Sequence, residues 1–161
     1  MVRSLTECEN EYEKELVGRI QAGNWQVTSV FSKDNDPAFA YSIGIYESFR
    51  QPELLLIGIN AQSAAKIVNR YGAYIKAEGR EFKSGHFYGG FLDDLDVYMA
   101  EASDLAKTEY TLSCRWFYKG VDFPLFQCVW PSVKGFWPWD SHAWADYKES
   151  QPLFCSTPTT D

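Results

Sequence analysis

The stretch that most constrains the fold is Glu53-Leu54-Leu55-Leu56-Ile57-Gly58-Ile59, opened by Pro52 and closed by Asn60. A short, unbroken apolar run of this kind fits a strand buried on both faces. Asn60 then supplies a good helix N-cap. The helix it opens carries Ala64, Ile67, Val68 and Tyr71 as its buried stripe. Gly72 weakens that helix, which either ends there or continues to Glu78-Gly79.

Upstream, Trp25–Phe31 is rich in β-branched and aromatic residues and reads as a strand. Lys33-Asp34-Asn35-Asp36-Pro37 is a turn by composition. Ala38–Ile45 is a second strand and the hairpin partner of the first, with Gly44 marking a bulge or a close backbone approach. A loop then runs through Ser48–Pro52. The N-terminal helix spans 6–23: Thr6 and Glu9 fit a capping box, Tyr12, Leu16, Val17 and Ile20 make the apolar face, and Gly23-Asn24 is the stop.

Downstream, Phe82–Phe91 is Gly-rich and reads as strand–turn–strand. Leu95, Val97 and Met99 alternate with Asp94, Asp96 and Tyr98, the period of a half-buried strand. Thr108 caps a third helix carrying Tyr110, Cys114 and Phe117 and ended by Gly120. Pro124–Trp130 is the last strand, and Pro131–Phe154 an aromatic coil. Short turns between strands and only about three helices predict an α+β fold. Its sheet is expected to be mostly antiparallel and strongly curved, with a split barrel as one form. No repeat or linker divides the chain, so 1–161 is read as one domain. Its parts are the helix 6–23, a sheet-and-helix core over 25–130, an aromatic coil over 131–155 and a disordered tail over 156–161.

Composition narrows the function. The 161 residues include 6 Trp, 10 Tyr and 11 Phe, ample material for a core, and carry a net charge of −7. An acidic surface disfavours generic nucleic-acid binding and speeds association with a basic protein. Cys8, Cys114, Cys128 and Cys155 form no Cys-x-x-Cys pair, and Cys114 and Cys128 read as core residues. The first residues lack the apolar centre of a signal peptide, and no run is long enough to span a membrane; the cytoplasm is the default compartment.

Candidate chemistry is sparse. His86 lies among glycines, and His142 follows Asp140 and Ser141, but no Gly-x-Ser-x-Gly elbow accompanies them. No phosphate loop, dinucleotide fingerprint or metal-ligand spacing occurs. Asp93, Asp94 and Asp96 form an acidic cluster without the spacing of a calcium loop. The most unusual stretch is Trp130–Asp140, with Trp130, Phe136, Trp137 and Trp139 among two prolines. Such aromatics suit a binding surface, or a lid folded over an open end of the sheet.

Tyr41-Ser42-Ile43-Gly44, Pro52-Glu53-Leu54, Gln127-Cys128-Val129-Trp130-Pro131 and Gly135-Phe136-Trp137-Pro138-Trp139 follow in an order that resembles the bacterial domain-of-unknown-function family 4262. The resemblance covers Trp25 to Asp140. Members usually carry Asp after the Trp-Pro pair, where this chain has Ser132, and Phe-Pro-Trp where it has Trp137-Pro138-Trp139. The family name implies no activity. The order of elements also resembles flavin-reductase-like split barrels. That resemblance implies FMN held near Tyr41, Ser42 and Asn60 to Ser63, with Arg50 and Lys66 the only nearby basic residues.

Three functions follow as expectations. The first is a non-catalytic acidic binding protein, without cofactor or metal, of the immunity type that sequesters a bacterial toxin or other basic partner. Trp130, Trp137, Trp139, Asp140, Asp93, Asp94 and Asp96 would form its contact surface. The alternative is a flavin- or nucleotide-binding split-barrel oxidoreductase using Tyr41, Ser42, Asn60 and Ser63. The third is a hydrolase acting through His86 or His142. The oligomeric state is left open.

Overall fold

In a computed structural model, which describes residues 1–158, the apolar run lies at the middle of a six-stranded sheet. After a 3-10 turn at Leu5–Glu7 come α1 (Glu11–Gln21), β1 (Gln26–Val30), β2 (Phe39–Ile43), α2 (Ile45–Phe49), β3 (Glu53–Ile57) and α3 (Ala61–Glu78). They are followed by β4 (His86–Tyr88), β5 (Val97–Glu101), α4 (Asp104–Glu109), α5 (Leu112–Tyr118), β6 (Leu125–Val129) and α6 (Ala145–Ser150). The strand order is β1-β2-β3-β6-β5-β4. Only β3 and β6 run parallel, with Leu55 opposite Gln127; every other pairing is antiparallel.

Successive side chains of a strand face opposite sides, and β3 uses both. Leu54 and Leu56 join α3 residues Ala64, Ile67, Val68, Tyr71 and Ile75 in one core layer. Leu55 and Ile57 join Leu16, Val17 and Ile20 of α1 and Cys114 and Phe117 of α5 in the other. On that second face, but over β5 and β6, Trp137, Trp139 and Leu153 cover Tyr98, Ala100 and Val129. Trp137 and Trp139 of the aromatic segment are therefore the lid over this part of the sheet, whereas Trp130 packs against the other layer. The lid also explains why β5 is buried on both faces from Val97 to Ala100 rather than half-buried.

The fold class and the antiparallel majority are as expected, but the strong curvature is not. The sheet is open, with β1 and β4 at its borders. Layers on both faces leave no hollow interior for it to curl around. The expected three helices are also too few: the described residues contain six α-helices. α2 occupies the segment read as strand end and loop. Gly44 turns the chain with φ 106, and Glu53, distant in sequence, caps the helix that follows. The third expected helix is split into α4 and α5 at Tyr110-Thr111, where the Thr111 hydroxyl donates to the Lys107 carbonyl. α6 stands within the expected coil.

The N-terminal helix starts at Glu11, not at residue 6. Its cap is Asn10, whose side chain accepts from Glu13 N, while the Glu13 carboxylate accepts from Glu9 N. α3 continues through Gly72 to Glu78; the glycine is there because a Cβ would strike the Trp25 indole. Within the tail, Ser156 is engaged, its carbonyl accepting from Tyr98 OH; Thr159 to Asp161 lie outside the described residues.

Candidate functional site

Parallel pairing brings the C-terminal ends of β3 and β6 to the same border of the sheet, where the segment leading into β5 also arrives. Trp130, the first residue after β6, is fixed there. Its indole N–H donates to the Ile57 carbonyl at 2.7 Å. Its backbone N–H donates to the Gln151 side chain, and its carbonyl accepts from Gln151 and from Tyr147 OH. Gln151 is itself buried. Gln127, also fully buried, donates to Pro152 O and accepts from Phe154 N. Two residues of the Gln127–Pro131 motif thus hold the C-terminal segment in place.

Gly58 completes the junction. It has φ 103, and a Cβ on it would meet the Ser150 carbonyl and the Trp130 ring. α6 lies directly on this glycine.

Between the docked segment and the 91–95 segment runs a groove of about 450 Å³. Ile59, Leu92, Leu95, Trp130, Pro131, Val133, Trp144 and Tyr147 give it an apolar lining, and Asp93 is its only charged residue among those described. A side cavity of about 60 Å³ shares Val133, Trp144 and Tyr147 with it and adds Lys134 and Phe136. Val133 is 96% exposed and Trp144 71%. Lys134 lies over the Trp144 ring. Burial pushes the Tyr147 phenol well up from its ordinary value, and its hydroxyl donates to the Trp130 carbonyl. The lining is suited to taking an apolar side chain, with a carboxylate at the rim.

The structure separates the expected contact residues. Trp130 and Asp93 belong to the groove; Asp94 and Asp96 are exposed on the same segment as Asp93. Trp137 and Trp139 stack on each other at 5.2 Å, and pack against Phe87 and Tyr98 as part of the lid. Asp140 accepts from Trp137 N at 2.7 Å and shapes that turn. Val133, Trp144 and Tyr147 escaped the sequence reading. Trp144 is the N-cap of α6 and Tyr147 lies in its first turn; the signal available was these two large aromatics within the segment read as coil.

The residues expected to hold a flavin occupy two places. Tyr41 and Ser42 are buried in β2, their hydroxyls engaged with Ser113 N and Glu53. Asn60 is the exposed cap of α3, accepting from Ser63 N. His86 and His142 are both exposed, and neither lines the groove or its side cavity. Among the described residues no three His, Cys, Asp or Glu side chains gather as a metal site, and no helix is long and apolar enough to cross a membrane.

A second polar constellation lies inside the protein. Glu53 is fully buried at the start of β3. Its carboxylate accepts from Ser42 Oγ (2.7 Å), Gly44 N (2.8 Å), Ile45 N (3.1 Å), Tyr46 N (3.3 Å) and Tyr118 OH. Burial pushes its pKa up, and these donors oppose the rise. The Ser42 hydroxyl already accepts from Leu54 N, and the Tyr118 hydroxyl from Glu47 N. Every hydrogen around the carboxyl therefore points inward, an arrangement that fits the ionised form. This cluster joins β2, α2, β3 and α5.

A family model described as Domain of unknown function (DUF4262) matches residues 19–144, and the chain belongs to that family. The match runs from within α1 to Trp144 and includes most of the groove lining. No curated protein and no solved structure matches the chain.

Proposed function

We propose that this member of the DUF4262 family is a non-catalytic binding protein whose groove takes an apolar side chain from a basic protein segment. The observation that carries the proposal is the concentration of exposed apolar surface, Val133 and Trp144, at a concave site where Asp93 is the only charged residue lining the main groove among the described residues, with Lys134 confined to the side cavity. Scattered exposed hydrophobics are ordinary, whereas a concave group of them marks an interaction site. Asp94 and Asp96 are exposed on the same segment as Asp93, and the net charge of −7 would draw a basic partner towards the protein. An immunity-type inhibitor holding a basic toxin in the cytoplasm is one form of this reading.

The test uses a defined probe: a twelve-residue peptide with a central Trp flanked by Lys and Arg, titrated while binding heat is recorded. Trp144→Ala should weaken binding at least tenfold, the scale of a lost aromatic contact residue. Asp93→Lys should weaken it severalfold, and more at low salt than at high salt. Equal binding by wild type and Trp144→Ala would remove the groove from the account.

A further inference from the structure

The outer edge of β1 has no backbone partner among the described residues. Exposed edges are normally guarded by charge, proline or a bulge. Gln26–Ser32 contains neither charge nor proline, and its register with β2 runs without interruption from Gln26 to Val30. Val30 is 39% exposed and Phe31, just beyond the strand, 73%.

We infer that β1 pairs antiparallel with β1 of a second copy of this chain, joining the two sheets across a two-fold axis at Thr28. In that register Gln26 stands opposite Val30 of the second copy, and Trp25 opposite its Phe31. Trp25 packs on the α3 face of the sheet, and Phe31 shares its strand parity and lines a cavity with Asn60 and Ala61 at the α3 start. The two rings are thus on the same face and form an aromatic cross-strand pair, a favourable one in antiparallel sheets.

Charge selects a second copy in this orientation. Lys76 donates to the Asn24 side chain, and Arg19 Nη1 to the Gln26 side chain at 3.1 Å, so both cations stand at the N-terminal end of β1. Glu15 shares the Tyr12–Arg19 side of α1 and leaves an excess of one positive charge there. The C-terminal end runs into Lys33-Asp34-Asn35-Asp36, with an excess of one negative charge. Antiparallel pairing sets each acidic turn beside the cationic end of the other copy, whereas parallel pairing would set like against like. β1 is two strands away from β3, so the groove stays open in the pair. The inference does not depend on the function proposed for the groove.

The experiment is sedimentation velocity over a concentration series, joined to amide exchange, on the full chain. Strand-edge interfaces are small, so half-association is expected at on the order of tens of micromolar. Amides within Gln26–Val30 should exchange more slowly as concentration rises. Val30→Lys with Phe31→Lys should weaken association at least tenfold while leaving the circular dichroism unchanged. Should that pair of changes disturb folding, Phe31→Lys alone gives the same reading, because the ring lies outside the strand. A wild-type protein still monomeric at about 500 μM, well above that small-interface range, would overturn the inference. So would a dimer that survives the edge variants, or protection that grows elsewhere than at β1.

Discussion

Glu53 is the residue on which the middle of the fold converges. Short stretches around it, Tyr41–Gly44 and Pro52–Leu54, stand out in the sequence, yet their purpose is visible only when β2 and β3 pair and Ser42 meets the carboxylate. Local reading could not anticipate that the same carboxylate caps α2 through Gly44, Ile45 and Tyr46. Replacing it by glutamine preserves shape but turns an amide NH₂ towards donors. Glu53→Gln should therefore cost about 2–4 kcal/mol, from unpaired buried donors, read as a lower urea midpoint with an unchanged slope. Gly58 was legible only as an interruption of an apolar run. Its positive φ and its contact with Ser150 make Gly58→Ala costly by about 1–3 kcal/mol of backbone strain, before any displacement of α6. Urea unfolding should record that loss, and peptide binding should fall with it because Tyr147 moves with the helix.

At the scale of elements, long periodic patterns were readable and short ones were not. β3 declared itself because both of its faces are apolar, and α3 because a capped stripe recurs over several turns. α2 and α6, of five and six residues, are too short to display a period and owe their form to tertiary partners. The N-terminal turn depends on a pairing outside any local window. Lys119 pairs with Glu7 at 2.8 Å, beside the local Arg3 guanidinium at 3.7 Å, and the Lys119 bond, with those from Ser4, lowers the Glu7 pKa from 4.5 to about 2. Because the folded value is depressed, the stabilising pairing is complete above pH 4.5 and is lost as pH falls through about 2. Acidification across that window should lower the protection factor of the Arg3 amide, its exchange rate taken relative to the intrinsic rate at the same pH; this amide donates to Phe117 O. The loss of protection should be muted by high salt, since the pair is solvent-accessible, and absent in Glu7→Gln, whose Arg3 amide is weakly protected throughout.

Over the whole molecule, composition indicated a large aromatic core and an acidic surface, but not how the aromatics divide between lid and groove. Trp137 and Trp139 complete a core layer, whereas Trp144, unremarked in the sequence, is left in solvent beside Val133. The curled sheet failed as an expectation although β3 already showed two apolar faces: the alternation read around Leu95–Met99 concealed that Trp137 and Trp139 cover the second face of β5. What remains exposed is a concave apolar site lined by one carboxylate, Asp93, and the central claim is that a basic segment docks there. The most direct measurement is an amide-shift titration of isotopically labelled protein with the Trp-centred basic peptide. The account predicts saturable shifts confined to residues 59, 91–95 and 130–147, abolished when the peptide's Lys and Arg are replaced by Glu. Shifts scattered over the surface, or no shifts at peptide concentrations of about 1 mM, the weakest affinity worth calling binding, would contradict it.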